Sequence, residues 1–189
     1  MKRLEAVWKP VDETGIEHLR LKQDEQKILV ISHVLRMDDD GKHYALEYRI
    51  SCDTDYTVRV VKVMIISQKV LYLTSDGHGN WFNTHGQVQP ELAGCIDVDI
   101  TATPFTNTLP IKRIKWTPGQ SETFKMAYIL VPEMTFHADE QRYTCLEQRP
   151  DGATFRFEQL ATGFTADLQV DADGLVLDYP GLFERVKTS

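Results

Sequence analysis

QKILVISHVLRMDDDGKHYALEYRI, residues 26–50, indicates the fold more directly than any other stretch of this chain. From residue 42 to residue 50, aromatic and aliphatic side chains alternate with Ala45, Glu47 and Arg49. A period of two is typical of a half-buried β-strand. The DDDG segment ends on Gly41, which can adopt the positive φ that a tight turn requires. The stretch therefore predicts a β-hairpin.

The same pattern recurs along the chain, with short β-prone runs separated by Gly, Pro and Asp. The predicted strands cover residues 26–37, 42–50, 57–66, 70–74, 80–82, 111–116, 122–131, 134–146, 154–159, 164–170 and 175–179. Helical patterns of 10 to 15 residues are missing between them, which favours an antiparallel all-β fold. Because runs such as 57–66 are apolar on both faces, we expect one strongly curved antiparallel sheet that forms a half or partly open β-barrel with an internal cavity.

Composition limits the class of protein. The chain has 189 residues with 21 basic and 28 acidic side chains, a net charge of −7 and 42% hydrophobic residues. This predicts a single domain over residues 1–189. The acidic balance argues against nucleic-acid binding, which needs a surplus of Lys and Arg. No apolar run approaches the length of a membrane helix, so we expect no integral membrane association.

Cysteine usage and the first ten residues bear on localisation. Cys52, Cys95 and Cys145 are widely spaced and odd in number, a usage typical of a reducing compartment. Residues 1–10 lack the apolar core of a signal peptide. The sequence therefore predicts a cytoplasmic protein.

Two patterns suggest a metal but do not complete a site. The DADG at residues 171–174 and the DDDG at residues 38–41 resemble the opening of a calcium loop. Loop position twelve would be Leu182 or Arg49, whereas calcium needs a bidentate Glu there. His78 and His85 lack the further ligands of a zinc site. We therefore expect turns at both Asp-rich stretches and neither a metal nor a cofactor.

Asp97 and Asp99 are the most suggestive pair in the chain. Two residues apart on a strand, their carboxylates would project from one face. Asp is depleted in strands, so the pair calls for an explanation. It could serve general acid/base or glycosidic chemistry. Alternatively, the two carboxylates could cap the Thr-rich loop that follows or pair with an arginine, the candidates being Arg49, Arg59 and Arg113.

Several segments together resemble the glycolipid-binding family. They are Tyr48-Arg49-Ile50-x-Cys52-Asp53, the block at residues 94–99, the long block at residues 103–113, Gln141-x-Tyr143 and the stretch at residues 170–183. The similarity runs over nearly the whole chain. One departure is Tyr56, where the family pattern has Trp. The resemblance implies a one-domain half-barrel similar to bacterial lipoprotein-localisation factors and mycobacterial lipoprotein lipid carriers, and it supplies no catalytic residues.

Two functional hypotheses follow, with a third kept open. In the first, a small amphipathic ligand, a lipid or glycolipid, binds without chemical conversion, its acyl chains in an apolar cavity and its head among polar residues. The candidate ligand-binding residues are Arg49, Asp53, Arg59, Asp97, Asp99, Thr106, Asn107 and Arg113. The second is an enzyme acting on a sugar-like or lipid-like substrate through Asp97 and Asp99. The third is an interaction module with an exposed apolar patch or sheet edge. The oligomeric state is left open.

Overall fold

A computed structural model describes residues 1–11, 14–37 and 40–186 of the chain. Its strands are β1 Lys2–Pro10, β2 Gly15–Gln23, β3 Ile28–Met37, β4 His43–Cys52, β5 Val58–Ile65, β6 Val70–Ser75, β7 Trp81–Phe82, β8 Asp97–Ile100, β9 Ser121–Leu130, β10 Thr135–Arg149, β11 Gly152–Gln159, β12 Phe164–Asp171, β13 Val176–Tyr179 and β14 Phe183–Arg185. The helix α1 spans Thr108–Arg113, and short 3₁₀ turns lie at Pro90–Leu92 and Phe105–Asn107.

All fourteen strands belong to one sheet. Their order is β7-β6-β5-β4-β3-β2-β1-β14-β13-β12-β11-β10-β9-β8. Two meanders, β1 to β7 and β9 to β14, therefore meet where the first strand pairs with the last. This junction is narrow, since only Trp8, Lys9 and Pro10 pair with β14. The indole Nε1 of Trp8 reinforces it by donating a hydrogen bond of 2.8 Å to the carbonyl of Val176.

The two edges of the sheet approach each other without pairing as strands. Trp81 of β7 donates from Nε1 to the carbonyl of Cys95, 2.7 Å away, just before β8. The backbone N–H of Gly94 donates to the carbonyl of Gly79 at 2.8 Å. β8 itself runs parallel to β9, whereas the other strand pairs are antiparallel. The sheet is thus strongly curved but not closed, which confirms the prediction of an all-β, partly open half-barrel.

The hairpin predicted from residues 26–50 is confirmed as β3 and β4. Val30 pairs with Ile50, and Ser32 pairs with Tyr48, all four buried on the concave face. The predicted turn at residues 38–41 falls partly outside the described residues, but Gly41 has the expected positive φ of 77°. The second Asp-rich turn is also confirmed, because Asp171 Oδ1 accepts backbone N–H bonds from residues 173 and 175.

Two apolar cores fill the concave side of the sheet. The larger core joins β1 to β8 with the Thr-rich loop and its 3₁₀ turn, where Phe105 is fully buried. The smaller core packs Ile111 of α1 and Trp116 against the aromatic faces of β10 to β14. Cys52, Cys95 and Cys145 are buried and unpaired. Within the described ranges, no helix has the length and apolar character needed to cross a bilayer.

One predicted strand was wrong. Residues 111–116 were expected to be extended, but residues 108–113 form α1. Leu109, Pro110 and Ile111 are consecutive buried residues, and a short apolar run of this kind does not distinguish a buried helix from a buried strand. The cations Lys112 and Arg113 lie in the last turn of α1, where they interact favourably with the helix dipole. The indole Nε1 of Trp116 donates to the carbonyl of Ile111, and this bond of 3.0 Å folds the following chain back onto the helix.

Six connections lie at the same end of the sheet, which we call the turn end. They join β1 to β2, β3 to β4, β5 to β6, β9 to β10, β11 to β12 and β13 to β14. Lys69 Nζ donates to the carbonyl of Glu133 at 3.2 Å, which links two of these connections across the open side of the sheet. The opposite end is crossed by the segment that carries the chain from β7 to β8.

Candidate functional site

A concave site of about 340 Å³ opens near the turn end, and we call it the aromatic pocket. It lies between β8 and β9 on one side and β11 to β14 on the other. Its lining residues are Asp99, Ile100, Thr101, Thr103, Asn107, Tyr128, Gln141, Phe157, Gln159, Phe164, Tyr179, Leu182 and Phe183. Polar side chains form its floor and aromatic rings form its walls.

Asp99 is the central acid of the floor. Its Oδ1 accepts a hydrogen bond of 2.8 Å from the hydroxyl of Thr106, and its Oδ2 accepts one of 2.8 Å from Gln141 Nε2. Burial raises the pKa of Asp99 above its ordinary value, while the bonds from Gln141 and Thr106 oppose that shift. Asp139 raises the pKa of Asp99 further through like-charge repulsion.

Gln141 connects two carboxylates. The same Nε2 that donates to Asp99 lies 3.3 Å from Asp139 Oδ2, which also accepts a bond of 3.0 Å from Gln159 Nε2. Because both neighbours of this nitrogen are carboxylates, the orientation of the amide is fixed. Its Oε1 is buried and has no hydrogen-bond partner among the described residues. A buried acceptor without a donor is costly, and a ligand hydroxyl would relieve that cost.

The walls are built from rings that contact one another. Phe157 packs against Tyr179 with centroids 6.0 Å apart and against Phe164 at 6.2 Å. Tyr179 continues the series to Phe183 at 6.4 Å. Such tilted and edge-to-face contacts fix the rings in place. The pocket therefore offers rigid apolar faces on several sides of its polar floor.

The Thr-rich loop after β8 supplies the remaining floor groups. Asn107 Oδ1 accepts a bond of 2.8 Å from the buried hydroxyl of Tyr143, and its Nδ2 donates to the carbonyl of Pro104 at 3.0 Å. Thr103 Oγ1 accepts from the backbone N–H of Phe105 at 3.0 Å. These bonds fix the loop conformation, so that its polar groups hold their positions beside Asp99.

A second buried acid supports that loop from the other arm of the sheet. Glu17 Oε1 accepts bonds from three hydroxyls, those of Tyr48 at 2.6 Å, Ser32 at 2.7 Å and Thr103 at 2.9 Å. Burial raises the pKa of Glu17 to about 7 in spite of these bonds and of the charge of Arg36. Since Thr103 also lines the aromatic pocket, this acid connects β2 to the floor of the site.

Comparison with known proteins identifies the family. A family model described as "Putative glycolipid-binding" matches residues 5–185. The chain belongs to this glycolipid-binding family. A crystal structure of a DUF1089 family protein from Pseudomonas aeruginosa is similar, with 35% sequence identity and a TM-score of 0.77, and the match covers 90% of this chain and 92% of that one. No match was found among curated proteins.

In this member of the glycolipid-binding family, the predicted site residues fall into three groups. Asp99 and Asn107 line the aromatic pocket, and Thr106 supports Asp99 from behind. Asp97 and Arg113 lie deeper, where Arg113 Nε and Nη2 reach the two carboxylate oxygens at 3.1 and 2.6 Å. Burial raises the pKa of Asp97 more than Arg113 lowers it.

The third group lies outside the pocket. Arg49 is half exposed and pairs with its strand neighbour Glu47 at 2.8 Å. Arg59 Nε donates to Asp53 Oδ2 at 2.7 Å, and the guanidinium also contacts the carbonyl of Asp76. These contacts are local to the strands and turns that carry the residues. Neither arginine lines the aromatic pocket.

Sequence reasoning missed Glu17, Asp139 and Gln159. Glu17 alternates with Leu19 and Leu21, which are both buried, so a period-two reading of residues 15–23 would have placed it in the core. Asp139 and Gln141 likewise alternate with buried Tyr143 on β10. Polar residues in register with an apolar face were therefore the signal that could have found them. Within the described ranges, no three His, Cys, Asp or Glu side chains gather to hold a metal ion.

Proposed function

We propose that this protein binds the sugar head of a glycolipid in the aromatic pocket and does so without chemical conversion. The single observation that carries the proposal is the unpartnered amide oxygen of Gln141 beside the carboxylate of Asp99, beneath a wall of aromatic rings. Its support in the comparisons is the description of the matching family.

The chemistry of the pocket suits a sugar better than a purely apolar ligand. Sugar hydroxyls both donate and accept, so they can satisfy Asp99 and the amide oxygen of Gln141 as acceptors. The C–H faces of a sugar ring are apolar and can lie against aromatic rings such as Phe157 and Tyr179. Polar groups that fix orientation, set within apolar walls, are typical of small-molecule sites.

Calorimetry with methyl glycosides of glucose, galactose, mannose and rhamnose tests the proposal. At least one should bind, and Asp99→Asn should weaken that binding by roughly tenfold, because a hydrogen bond to a charged group contributes about 1.5 kcal/mol or more. Asp167→Asn is the matched control, since Asp167 pairs with Arg156 on an exposed face. Absence of binding to all four glycosides, or equal loss in both variants, would overturn the proposal.

Glycoside hydrolysis is the competing function, and the raised pKa of Asp99 in a pocket is the observation that favours it. The pair first considered, Asp97 with Asp99, is poorly suited because Asp97 is fully buried and held at two points by Arg113. Asp139 offers a different second carboxylate, bridged to Asp99 by Gln141 Nε2. Release of nitrophenolate from 4-nitrophenyl glycosides that disappears in Asp99→Asn would establish hydrolysis; we expect no release.

We also propose a cytoplasmic location. Cys52, Cys95 and Cys145 are all unpaired, as expected of thiols in a reducing compartment. Fractionation of cells expressing the full chain tests this, and recovery from the membrane-enclosed or secreted fraction would contradict it.

A further inference from the structure

A second cavity, of about 630 Å³, adjoins the aromatic pocket at the turn end, and we call it the mouth cavity. Thr101 and Leu182 line both spaces, so the two are neighbours across a shared wall. The remaining lining residues of the mouth cavity are Arg36, Met37, Asp40, Tyr44, Leu130, Val131, Pro132 and Glu133. A ligand longer than one sugar ring would have to continue into this space or into solvent.

Apolar side chains contribute to the lining of the mouth cavity. Six of its ten lining residues are apolar or aromatic, and three of these, Val131, Pro132 and Leu182, lie on the β9–β10 and β13–β14 connections. Three charged residues complete the mouth lining, Arg36, Asp40 and Glu133. Two acids against one base favour an uncharged chain over a fatty-acid carboxylate.

Exposed apolar residues concentrate at the same end of the sheet. Of the twelve large apolar residues that are exposed in the described part of the chain, seven lie on the connections of the turn end or within two residues of them. They are Val11, Ile16, Ile66, Val70, Leu160, Phe164 and Leu182. Exposed apolar side chains gathered around the opening of a pocket indicate contact with an apolar partner.

The interior behind the floor is filled by apolar side chains. Phe105, Leu109 and Leu92 are fully buried in the larger core behind the loop that carries the floor. The crossing from β7 to β8 covers the far end of the sheet, where Trp81 is fully buried. The direction open to an alkyl chain is therefore outward.

We propose that the glycolipid enters head first, with its sugar on the Asp99 floor and its alkyl chain in the mouth cavity, leaving the protein between the β9–β10 and β13–β14 connections. This inference rests on the proposed function and adds the location and chemistry of the chain site. It reverses the arrangement expected from the sequence, in which the acyl chains occupied an internal cavity. Apolar contact at the mouth supplies additional affinity, and the polar floor supplies selectivity.

A chain-length series separates this inference from the proposed function. The probes are methyl, octyl and dodecyl glycosides of the sugar that binds best, each below its critical micelle concentration, with decanol as a chain without a head. Affinity should rise by up to about fourfold for each methylene that leaves water. Methyl glycoside should compete with the dodecyl glycoside, and decanol should compete poorly.

The outcomes are distinct. Equal affinities of the methyl and dodecyl glycosides would overturn the chain site and leave sugar binding intact. Displacement of the dodecyl glycoside by decanol but not by the methyl glycoside would overturn the head-first orientation. Failure of every glycoside to bind would overturn the proposed function itself.

A pair of variants tests the location of the chain. Leu182→Asp places a charge in the mouth cavity, and Leu146→Asp places one at a residue of nearly equal exposure, 38% against 40%, outside both cavities. The ratio of dodecyl to methyl affinity should fall at least tenfold in Leu182→Asp and stay unchanged in Leu146→Asp. This ratio cancels any effect of Leu182 on the sugar site, and an unchanged ratio in both variants would overturn the assignment.

A nitroxide at the end of the alkyl chain gives a direct readout. In NMR spectra of the complex, the amides of Val131, Glu133, Met134, Gly181 and Leu182 should broaden, while amides near Trp81 should not. Broadening around Trp81 with sharp signals at the turn end would place the chain in the interior and overturn the proposal.

Discussion

Arg113 contacts both carboxylate oxygens of Asp97, at 3.1 Å from Nε and 2.6 Å from Nη2. The carboxylate is fully buried and the guanidinium side chain is 18% exposed. Arg113 also lies over the ring of Phe124, with its Cζ 5.2 Å from the ring centroid. The pair therefore fixes α1 against β8, two residues before Asp99 on the floor of the aromatic pocket.

Loss of this pair should be costly. Asp97→Asn leaves the cation of Arg113 without its counter-ion in a largely buried place, and removal of one partner of a buried pair typically costs about 3 to 5 kcal/mol. We expect urea denaturation to show a fall of about 3 kcal/mol in the free energy of unfolding.

The chain offers a matched control for that variant. Asp167 and Arg156 form the same two-point contact, at 2.9 and 3.0 Å, but both side chains are almost half exposed. Asp167→Asn should therefore cost less than about 1 kcal/mol. Similar losses in the two variants would show that burial does not determine the contribution of the pair at β8.

Glu17 should make stability depend on pH. Its pKa is raised from 4.5 to about 7 by burial, so the folded chain keeps a proton that the unfolded chain releases as pH rises from 4.5 to 7. The contribution of Glu17 is therefore fully present below pH 4.5 and is lost as pH approaches 7, amounting to about 3 kcal/mol. Above that range its contribution stays constant.

Glu17→Gln isolates this effect because an amide of similar shape does not titrate. The difference in unfolding free energy between the variant and the wild type should change by about 3 kcal/mol, in favour of the variant, from pH 4.5 to pH 7.5. Urea titrations at several pH values provide the measurement. A difference that stays flat across this range would mean that Glu17 ionises in the folded protein as it does in the unfolded chain.

Gly79 should be required for the approach of the two sheet edges. Its φ is 93°, and a Cβ there would lie 2.8 Å from the Cα of Gly94. Gly79→Ala combines left-handed strain with this clash, and we expect a loss of about 2 to 3 kcal/mol in the free energy of unfolding. Gly86→Ala is the control, because Gly86 has a φ of 73° but open space around its Cβ position. It should cost about 1 kcal/mol, and equal costs would argue against a tight contact between the edges.

Thr106 should affect both the pKa of Asp99 and the binding of a ligand in the aromatic pocket. Thr106→Val keeps the side-chain volume but removes the hydroxyl that donates to Asp99 Oδ1. The pKa of Asp99 should rise further, since the lost bond favours the carboxylate, and methyl glycoside affinity should fall by about tenfold. Carbon NMR titration of the Asp99 carboxyl and calorimetry supply the two readouts. Thr106→Ser should restore both, and an unchanged carboxyl titration in Thr106→Val would contradict the assigned role.

The local parts of the fold were predictable because their signal is local. The hairpin of β3 and β4 follows from alternation and a turn, and these features lie within 25 consecutive residues. The prediction of a strand at residues 111–116 was wrong because a short apolar run fits both the period of a strand and the period of a helix. Packing against the smaller core selected the helix.

The candidate site was only partly predictable because it depends on register between distant strands. Asp99 was recognisable as an acid in an apolar strand. Its partner Gln141 lies 42 positions away in the chain, and the pairing of β8 with β9 and of β9 with β10 brings them together. Arg49 and Arg59 were also predicted as ligand-binding residues, but they lie outside the pocket. Each pairs with an acid close to it in the chain, Glu47 and Asp53 respectively.

The pairing of the first strand with the last has a consequence for synthesis on the ribosome. The meander β1 to β7 is complete early, but its inner edge at β1 has no partner until residues 183–185 have left the exit tunnel. Until then, the N-terminal half presents an open strand next to the buried face of Trp8. Folding of the whole sheet therefore cannot finish before β14 has left the tunnel, and a nascent chain stalled before that point is the species in greatest need of chaperone protection.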